Sequence, residues 1–325
     1  MGDGLSVCVA RKWLSLGGLM RRDLIGLVLL ALCLSVPTPA VSAQVAVVLS
    51  DDSTPYQEAY QVIRAYLDDS GHEALRINAR ALRPASLKET RLAVAVGVLA
   101  ADALAALPNP PPILAVLVPR AWYVKSGRAR LTDDGNRLAS AIYIDQPIER
   151  QAALIRLAFP DAHRVGVLLS ANQSGLLDEL ETDLRTQGLS LVNAILTKDE
   201  QLIIPLENVL SDADLLLALP DPVVFNRNTA QSILLTSYRY RHPVFGYSRS
   251  LTRAGALLSL HSSPAEIGRQ TAEWVRNALL GPVVRLPAPA HPAYFSISIN
   301  EQVARSLGFT LPPEAALEKR LGGMR

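Results

Sequence analysis

The chain has 325 residues and a formal net charge of +2 at pH 7. Both of its cysteines, Cys8 and Cys33, precede residue 44, and the sequence from residue 44 onward carries 28 basic and 28 acidic residues. This composition excludes disulfides, thiol catalysis and thiolate metal sites from that part of the chain. A neutral domain without a basic run also lacks the electrostatic footprint of a nucleic-acid-binding protein.

The N-terminal segment has the pattern of an export signal. Arg21 and Arg22 precede an apolar run over residues 24–34, and small residues lead up to Ala43. This order is typical of a secretory signal peptide. We therefore predict that residues 1–43 are a signal peptide, that cleavage follows Ala43, and that the mature protein begins at Gln44 in the periplasm.

Three alternatives stay open for this segment. An uncleaved anchor would need about 20 apolar residues to span a bilayer, whereas Pro37 and Pro39 interrupt the sequence soon after the apolar run. A lipid anchor on Cys33 would need a small residue before it, and Leu32 stands there instead. Met20 begins a complete signal by itself, so translation could start there rather than at the first methionine. We favour the general secretory route over the twin-arginine route.

Strand and helix patterns alternate from residue 45 onward. Val-rich apolar runs predict strands buried on both faces of a parallel sheet, and apolar residues at helical spacing predict the helices between them. In chain order, the first half predicts strands at 45–49, 74–77, 92–96 and 113–118, with helices at 55–69 and 100–107. The second half predicts helices at 147–159, 173–187, 205–210 and 225–239, with strands at 164–169, 189–195, 213–219 and 243–245. A polar stretch over residues 125–137 separates the two halves.

The closing segment contains a helix with a clear N-terminal signal. Ser263 is placed to cap it, Pro264 suits the first helical position, and Glu266 completes a capping box. A strand at 294–299 and a helix at 301–307 complete the pattern. About 280 residues of repeated strand and helix units are enough for two lobes with separate cores. The predicted fold class is α/β, with two doubly wound parallel-sheet lobes and a ligand cleft beyond the carboxyl ends of the strands.

Several strings in this order carry a family resemblance. They are AVGVLAADAL at residues 95–104, FPDA at 159–162, RVGVL at 164–168, GALL at 255–258, IGRQTA at 267–272, and the segment 299–308, which begins with IN and ends with LG. The chain resembles the ABC-transporter substrate-binding proteins of the tryptophan/tyrosine-binding type, which have the type I periplasmic-binding fold. The resemblance covers nearly the whole mature chain.

This resemblance implies that three crossovers form a hinge between the lobes. It places residues 44–144 and 263–285 in one lobe and residues 145–262 and 286–325 in the other. It further implies capture of a small solute by lobe closure and delivery to an ABC permease in the inner membrane. We expect a monomer that uses no cofactor. The alternative is a periplasmic sensor or accessory protein with the same fold that is not coupled to import.

The loop after the first strand supplies the first candidate ligand residues. Ser50, Asp51, Ser53 and Thr54 offer hydroxyls, a carboxylate and backbone N–H groups at a helix start. Such a loop suits the carboxylate of an anionic or zwitterionic ligand. Ordinary helix capping by Ser53 or Thr54 is the alternative reading.

Two further loops follow predicted strand ends. Gly97 and Val98 match a family position where a hydroxyl residue commonly follows the glycine, and Val98 lacks that hydroxyl. This difference weakens the case for a typical amino-acid ligand and favours small polar or zwitterionic solutes more generally. In the second half, Ser170, Asn172 and Ser174 can donate or accept hydrogen bonds, with helix capping again as the alternative.

The remaining candidates come from three separate loops of the second half. Asp221 follows a strand and could hold a ligand ammonium, or it could be an ordinary turn aspartate. Tyr247 could stack on the ligand beside Ser248, or serve only in packing. His261 lies where the chain should cross between lobes and could touch the ligand, or it could be a hinge or capping residue.

Catalytic and metal-binding motifs are missing from the sequence. It contains no G-x-S-x-G elbow, no G-x-x-x-x-G-K-[ST] phosphate loop and no G-x-G-x-x-G after the first strand. Adjacent acids such as Asp51 and Asp52 give no reason to expect the facing geometry of acid/base catalysis. The histidines after residue 43 lack metal-ligand spacing. We predict neither enzyme activity nor a metal site.

Overall fold

The computed structural model describes residues 43–196 and 202–323. The predicted signal peptide lies outside the described residues, apart from Ala43, and its cleavage stays a prediction. Within the described ranges, no helix is both long enough and apolar enough to cross a membrane.

The first sheet has five parallel strands in the order β2-β1-β3-β4-β5. Its strands are β1 (Gln44–Leu49), β2 (Glu73–Asn78), β3 (Thr90–Val96), β4 (Ile113–Val118) and β5 (Ala139–Tyr143). The helices between them are α1 (Thr54–Asp69), α2 (Val98–Ala105), α3 (Arg120–Trp122) and α4 (Arg128–Thr132). Along β1, Val45, Val47 and Leu49 pack with α1, whereas Ala46 and Val48 pack with α2 on the other face. Burial on both faces explains the uninterrupted apolar run of this strand.

The second sheet has six strands in the order β11-β10-β9-β8-β6-β7. Its strands are β6 (Arg164–Ser170), β7 (Ser190–Leu196), β8 (Leu215–Leu217), β9 (Val244–Gly246), β10 (Leu258–His261) and β11 (Ser296–Ile299). Strand β11 runs antiparallel to β10, and the other pairings are parallel.

Helices cover both faces of this sheet as well. They are α5 (Ile148–Ala158), α6 (Leu177–Thr186), α7 (Ile203–Asp212), α8 (Ala230–Arg239), α9 (Arg249–Ala254), α11 (Glu301–Leu307) and α12 (Glu314–Gly322). Helix α10 (Pro264–Ala278) instead returns to the first sheet and packs against α1. Its predicted capping box is present, with Ser263 and Glu266 each bonded to the other's backbone N–H. Two mostly parallel sheets with interleaved helices confirm the predicted fold class.

The chain passes between the sheets after β5, after β10 and before β11. Hydrogen bonds tie these three crossing segments together. The amide of Gln146 donates to Ser262 Oγ over 2.7 Å, and Ser262 Oγ donates to the carbonyl of Tyr294 over 2.5 Å. Arg150 donates to the amide oxygen of Gln146 over 2.7 Å and to the carbonyl of Pro292 over 2.9 Å. The back of the space between the sheets is therefore closed by bonded polar groups.

The third crossing segment stays in contact with the first sheet after residue 285. The sequence predicts that the second lobe begins at residue 286. Ser140 Oγ donates to the carbonyl of Pro287 over 2.6 Å, and Ala290 forms a parallel bridge with Ile142 of β5. The residue boundaries predicted for the two lobes stay predictions.

The polar stretch 125–137 is not a simple separator of the two halves. It holds the end of a π-helical turn (Tyr123–Gly127) and helix α4, and β5 then adds a fifth strand to the first sheet. The reason is a set of buried anchors at four-residue spacing, Tyr123, Gly127 and Leu131. Gly127 is required there because a Cβ would lie 2.6 Å from the ring of Trp122.

The contact between α1 and α10 depends on a glycine. A Cβ at Gly268 would lie 2.8 Å from the carbonyl oxygen of Ala59, so the two helices approach too closely for a side chain. We predict that Gly268→Ala lowers the free energy of unfolding of the mature domain by about 1–3 kcal/mol, the usual cost of overpacking. Urea unfolding measures this. Gly322→Ala is the control, because that helical glycine has no neighbour within 4 Å of its Cβ position among the described residues. Equal losses in both variants would contradict the prediction.

Candidate functional site

A cavity of about 970 Å³ opens between the two sheets. Its wall takes Tyr56, Leu117 and Arg120 from the first sheet and its helices, and Gln173, Leu219 and Tyr247 from the second. Asp145, Gln146, His261, Ser262 and His291, at or beside the crossing segments, close its back. Most of these residues follow the carboxyl ends of strands, which is where ligands bind in open α/β sheets.

The structure brings four of the predicted ligand residues to the cavity wall, namely Ser53, Tyr247, Ser248 and His261. The others do not line it, and they are Ser50, Asp51, Thr54, Gly97, Val98, Ser170, Asn172, Ser174 and Asp221. Some of these nine residues, such as Ser50 and Asp221, form hydrogen bonds with the backbone of loops that contribute to the wall.

Ser50 and Gly97 lie behind Tyr56 on the first sheet's side of the cavity. Ser50 is buried, and its Oγ donates to the carbonyl of Val96 over 2.9 Å and accepts from the N–H of Ala100 over 3.0 Å. Gly97 has φ +89°, and a Cβ there would lie 2.6 Å from Ser50 Oγ and 2.7 Å from the Tyr56 hydroxyl. Tyr56 therefore occupies the space over Gly97, and its ring is the surface that faces the cavity.

The loop between β1 and α1 is held by its own aspartate. Asp51 Oδ1 accepts from the N–H of Ser53 over 2.8 Å, and hydrogen bonds from Ser53 lower the pKa of Asp51. Ser53 is the N-cap residue of α1, but its side chain makes no capping hydrogen bond. Ser53 is part of the cavity wall, and its hydroxyl hydrogen-bonds to Asp51.

Asp221 joins two loops of the second sheet. The residue is 1% exposed, its Oδ2 accepts from the N–H of Ser170 over 2.7 Å, and its Oδ1 accepts from the N–H of Val223 over 3.0 Å. Asp221 therefore bridges two loops and is not among the residues that line the cavity. Its predicted contact with a ligand ammonium stays a prediction. Ser174 likewise bonds within its own turn, to the carbonyl of Ala171 over 3.0 Å.

The wall residues of the second sheet have partners that fix their orientation. The Tyr247 ring packs edge-on against Phe225 at 6.1 Å between ring centroids, and burial raises the pKa of Tyr247. Ser248 Oγ accepts from the N–H of Leu251 over 3.1 Å and so caps α9. His261 Nε2 lies 2.9 Å from Ser298 Oγ, and burial lowers the pKa of His261.

Asp145 is a cavity residue that the sequence-based prediction missed. It follows β5, its Oδ2 accepts from the N–H of Arg120 over 2.6 Å, and its backbone oxygen accepts from His291 Nδ1 over 2.8 Å. Burial raises the pKa of Asp145, although the N–H of Arg120 and the nearby His291 oppose this rise. The sequence feature that could have identified Asp145 is the short apolar strand Ala139–Tyr143. Predicting this strand would have placed Asp145 just beyond the carboxyl end of a parallel strand, where ligands bind.

The floor of the cavity includes a residue with unusual backbone geometry. Leu117 has φ +54°, and the pairing of β4 with β5 shifts register between Val116 and Val118. A leucine with positive φ is rare, and such conformations persist only where the surroundings enforce them. The bulge turns Leu117 into the cavity and sets the path of the chain that leads to Arg120.

The comparison with protein families gives a match over most of the chain. A family model described as ABC transporter substrate binding protein matches residues 69–319. The resemblance recognised in the sequence is thereby confirmed. No curated protein matches the chain.

Solved structures with the same fold come from several bacteria. A substrate-binding protein with adhesive properties from Clostridium difficile, in a ligand-free, open structure, has a TM-score of 0.68 at 17% identity, covering 83% of this chain and 96% of that one. A conserved domain protein from Vibrio cholerae O1 biovar El Tor has a TM-score of 0.60 at 22% identity, with coverage of 86% and 98%. An ABC domain in complex with L-Trp from Streptococcus pneumoniae has a TM-score of 0.58 at 16% identity, with coverage of 85% and 98%. At these identities the likeness shows the fold.

The two cavity histidines predict how stability depends on pH. Burial lowers the pKa of His261 and of His291, so protonation is less favourable in the folded state than in the unfolded state. Their contribution is therefore fully present above the unfolded pKa of about 6.5 and is lost as the pH falls below it. We predict that the wild-type mature domain loses more free energy of unfolding between pH 7.5 and pH 5.5 than the double variant His261→Gln/His291→Gln.

Urea unfolding of both proteins at the two pH values measures this difference. Asp145, whose raised pKa favours the folded state as the pH falls, opposes this loss in both proteins. The opposition is stronger in the double variant, because the charge of His291 no longer lowers the pKa of Asp145. A loss of equal size in the two proteins would show that these histidines do not carry the effect.

Proposed function

The chain belongs to the ABC transporter substrate binding protein family, and from this premise we propose that it is an exported protein that captures a small polar or zwitterionic solute and delivers it to an ABC importer. It binds the solute without transforming it, acts as a monomer and uses no cofactor. The single observation that carries this proposal is the cavity of about 970 Å³, whose wall is drawn from both sheets and whose back is formed by the crossing segments.

The location of the cavity supports capture by lobe closure. Two bodies joined through bonded crossing segments move as a hinge, and closure around a solute removes water from both. The cavity lies at the upper end of the 300–1,000 Å³ or so that is typical of small-molecule sites. A wall that combines many polar and charged side chains with apolar surface then provides both affinity and orientation.

The chemistry of the wall supports a solute with a cationic group. The partly buried Asp145 carboxylate accepts from the Arg120 N–H, and burial disfavours its charge. A ligand ammonium beside it would stabilise the charged form and gain a charge-assisted hydrogen bond. Tyr56 and Tyr247 add an aromatic surface from each side, and the amide of Gln173 adds a donor.

Thermal-shift screening of residues 44–325 against small polar solutes identifies the ligand. We expect that zwitterionic or cationic polar compounds raise the melting temperature, because binding to the folded state stabilises it. Loss of uptake of the same compound in cells that lack the gene, with recovery on complementation, tests delivery. Binding without any effect on uptake would favour the sensor alternative, and the absence of any stabilising polar solute would contradict the proposal.

We predict that Asp145→Asn weakens ligand affinity by roughly ten- to a hundredfold, since a hydrogen bond to a charged group contributes about 1.5–3 kcal/mol. Calorimetry with the identified solute measures the change. The matched control is Asp214→Asn, which neutralises a carboxylate that accepts from two backbone N–H groups at the start of β6, outside the cavity wall, and should leave affinity unchanged. An Asp145 variant that binds as tightly as wild type would remove Asp145 from the site.

A further inference from the structure

One ion pair joins the two sides of the cavity close to the first crossing segment. Arg120 lies directly after β4 of the first sheet, and Glu179 lies in the first turn of α6 beside the second. Arg120 Nη1 is 2.7 Å from Glu179 Oε2, and each side chain is 33% exposed. Both residues line the cavity, so the pair joins its two walls directly.

The second-sheet side of this pair is an acidic cluster. Burial raises the pKa of Asp183 on α6, and the charges of Glu179 and Glu149 add to the rise, whereas Arg120 opposes it. Three carboxylates from the first turn of α5 and from α6 therefore lie close to one another. The three carboxylates repel one another, and the positive charge of Arg120 offsets this repulsion. Moving Arg120 away from α6 would therefore increase the repulsion.

The first-sheet side of the pair is fixed in place. The backbone N–H of Arg120 donates to the Asp145 carboxylate, which belongs to the first crossing segment. Because the backbone of Arg120 is already fixed by this hydrogen bond, less conformational entropy of the backbone is lost when its guanidinium pairs with Glu179. The same anchor makes the position of Arg120 depend on the angle between the two sheets.

We propose that Arg120 and Glu179 form a latch that holds the two sheets closed in the ligand-free protein and thereby regulates access to the cavity. This inference rests on the proposed function, because it concerns how the same binding site opens. The latch gives the ligand-free protein a substantial closed population, and release of the pair moves molecules to the open form. Salt weakens the latch, because the pair is partly exposed to solvent and is screened.

The test measures the distance between the sheets without any ligand. The two cysteines of the sequence both precede residue 44, so cysteines introduced at the exposed positions Arg128 and Arg227 are the labelling sites in residues 44–325. Pulsed electron paramagnetic resonance of spin labels at these sites reports the ratio of closed to open molecules. We expect Glu179→Gln to lower this ratio by about two- to fivefold, the effect of losing a partly exposed ion pair.

Two further variants make the result specific. Arg120→Met removes the charge from the other side while keeping the backbone N–H that holds Asp145, and it should produce the same shift. Glu181→Gln is the control on the same helix, because Glu181 pairs with Arg185 within α6, and it should leave the ratio unchanged. Raising the salt concentration from 0.05 to 0.5 M should lower the ratio in the wild type and have little effect in Glu179→Gln.

Unchanged distances in both Glu179→Gln and Arg120→Met would overturn the latch. The same shift in Glu181→Gln would also overturn it, because the effect would then reflect the charge of α6 in general. These outcomes do not depend on the solute. A failure to find any ligand would count against the proposed function, whereas the distance measurements would still decide whether the latch exists.

Discussion

The spacing of the three crossing segments depends on one side chain, that of Gln146. Its amide joins the first segment to Ser262 in the second, Ser262 continues to the carbonyl of Tyr294 in the third, and Arg150 bonds back to Gln146. Such a chain of bonds satisfies polar groups that would otherwise need water at the back of the cavity. The network therefore closes the back of the cavity at the three crossing segments.

Polar residues near the cavity fall into two groups according to where their hydrogen bonds go. Ser50 and Asp221 are buried and each bonds to two backbone groups, so they hold loops together. Asp145 lies in the wall, and burial raises its pKa. The first group holds the loops that form the walls, and under the proposed function the second group would contact the ligand.

The sequence predicted the fold well because the apolar pattern determines it directly. The runs at β1, β3 and β4 are buried on both faces, and the capping box of Ser263 and Glu266 marks the start of α10 without reference to the rest of the protein. The site was predicted less well because strand ends give only the location of a side chain. Whether Asp221 faces the cavity or a neighbouring backbone N–H depends on a loop 51 residues away, and no local pattern contains that information.

The bulge at Leu117 is another feature of the site that the apolar pattern of β4 does not predict. Its positive φ costs on the order of 1–3 kcal/mol, and it shifts the register with which β4 enters the loop that carries Arg120. That loop supplies the N–H that holds Asp145 and the guanidinium that reaches Glu179. The irregular residue Leu117 therefore lies at the start of the loop whose Arg120 contacts both the cavity carboxylate of Asp145 and Glu179 of the other sheet.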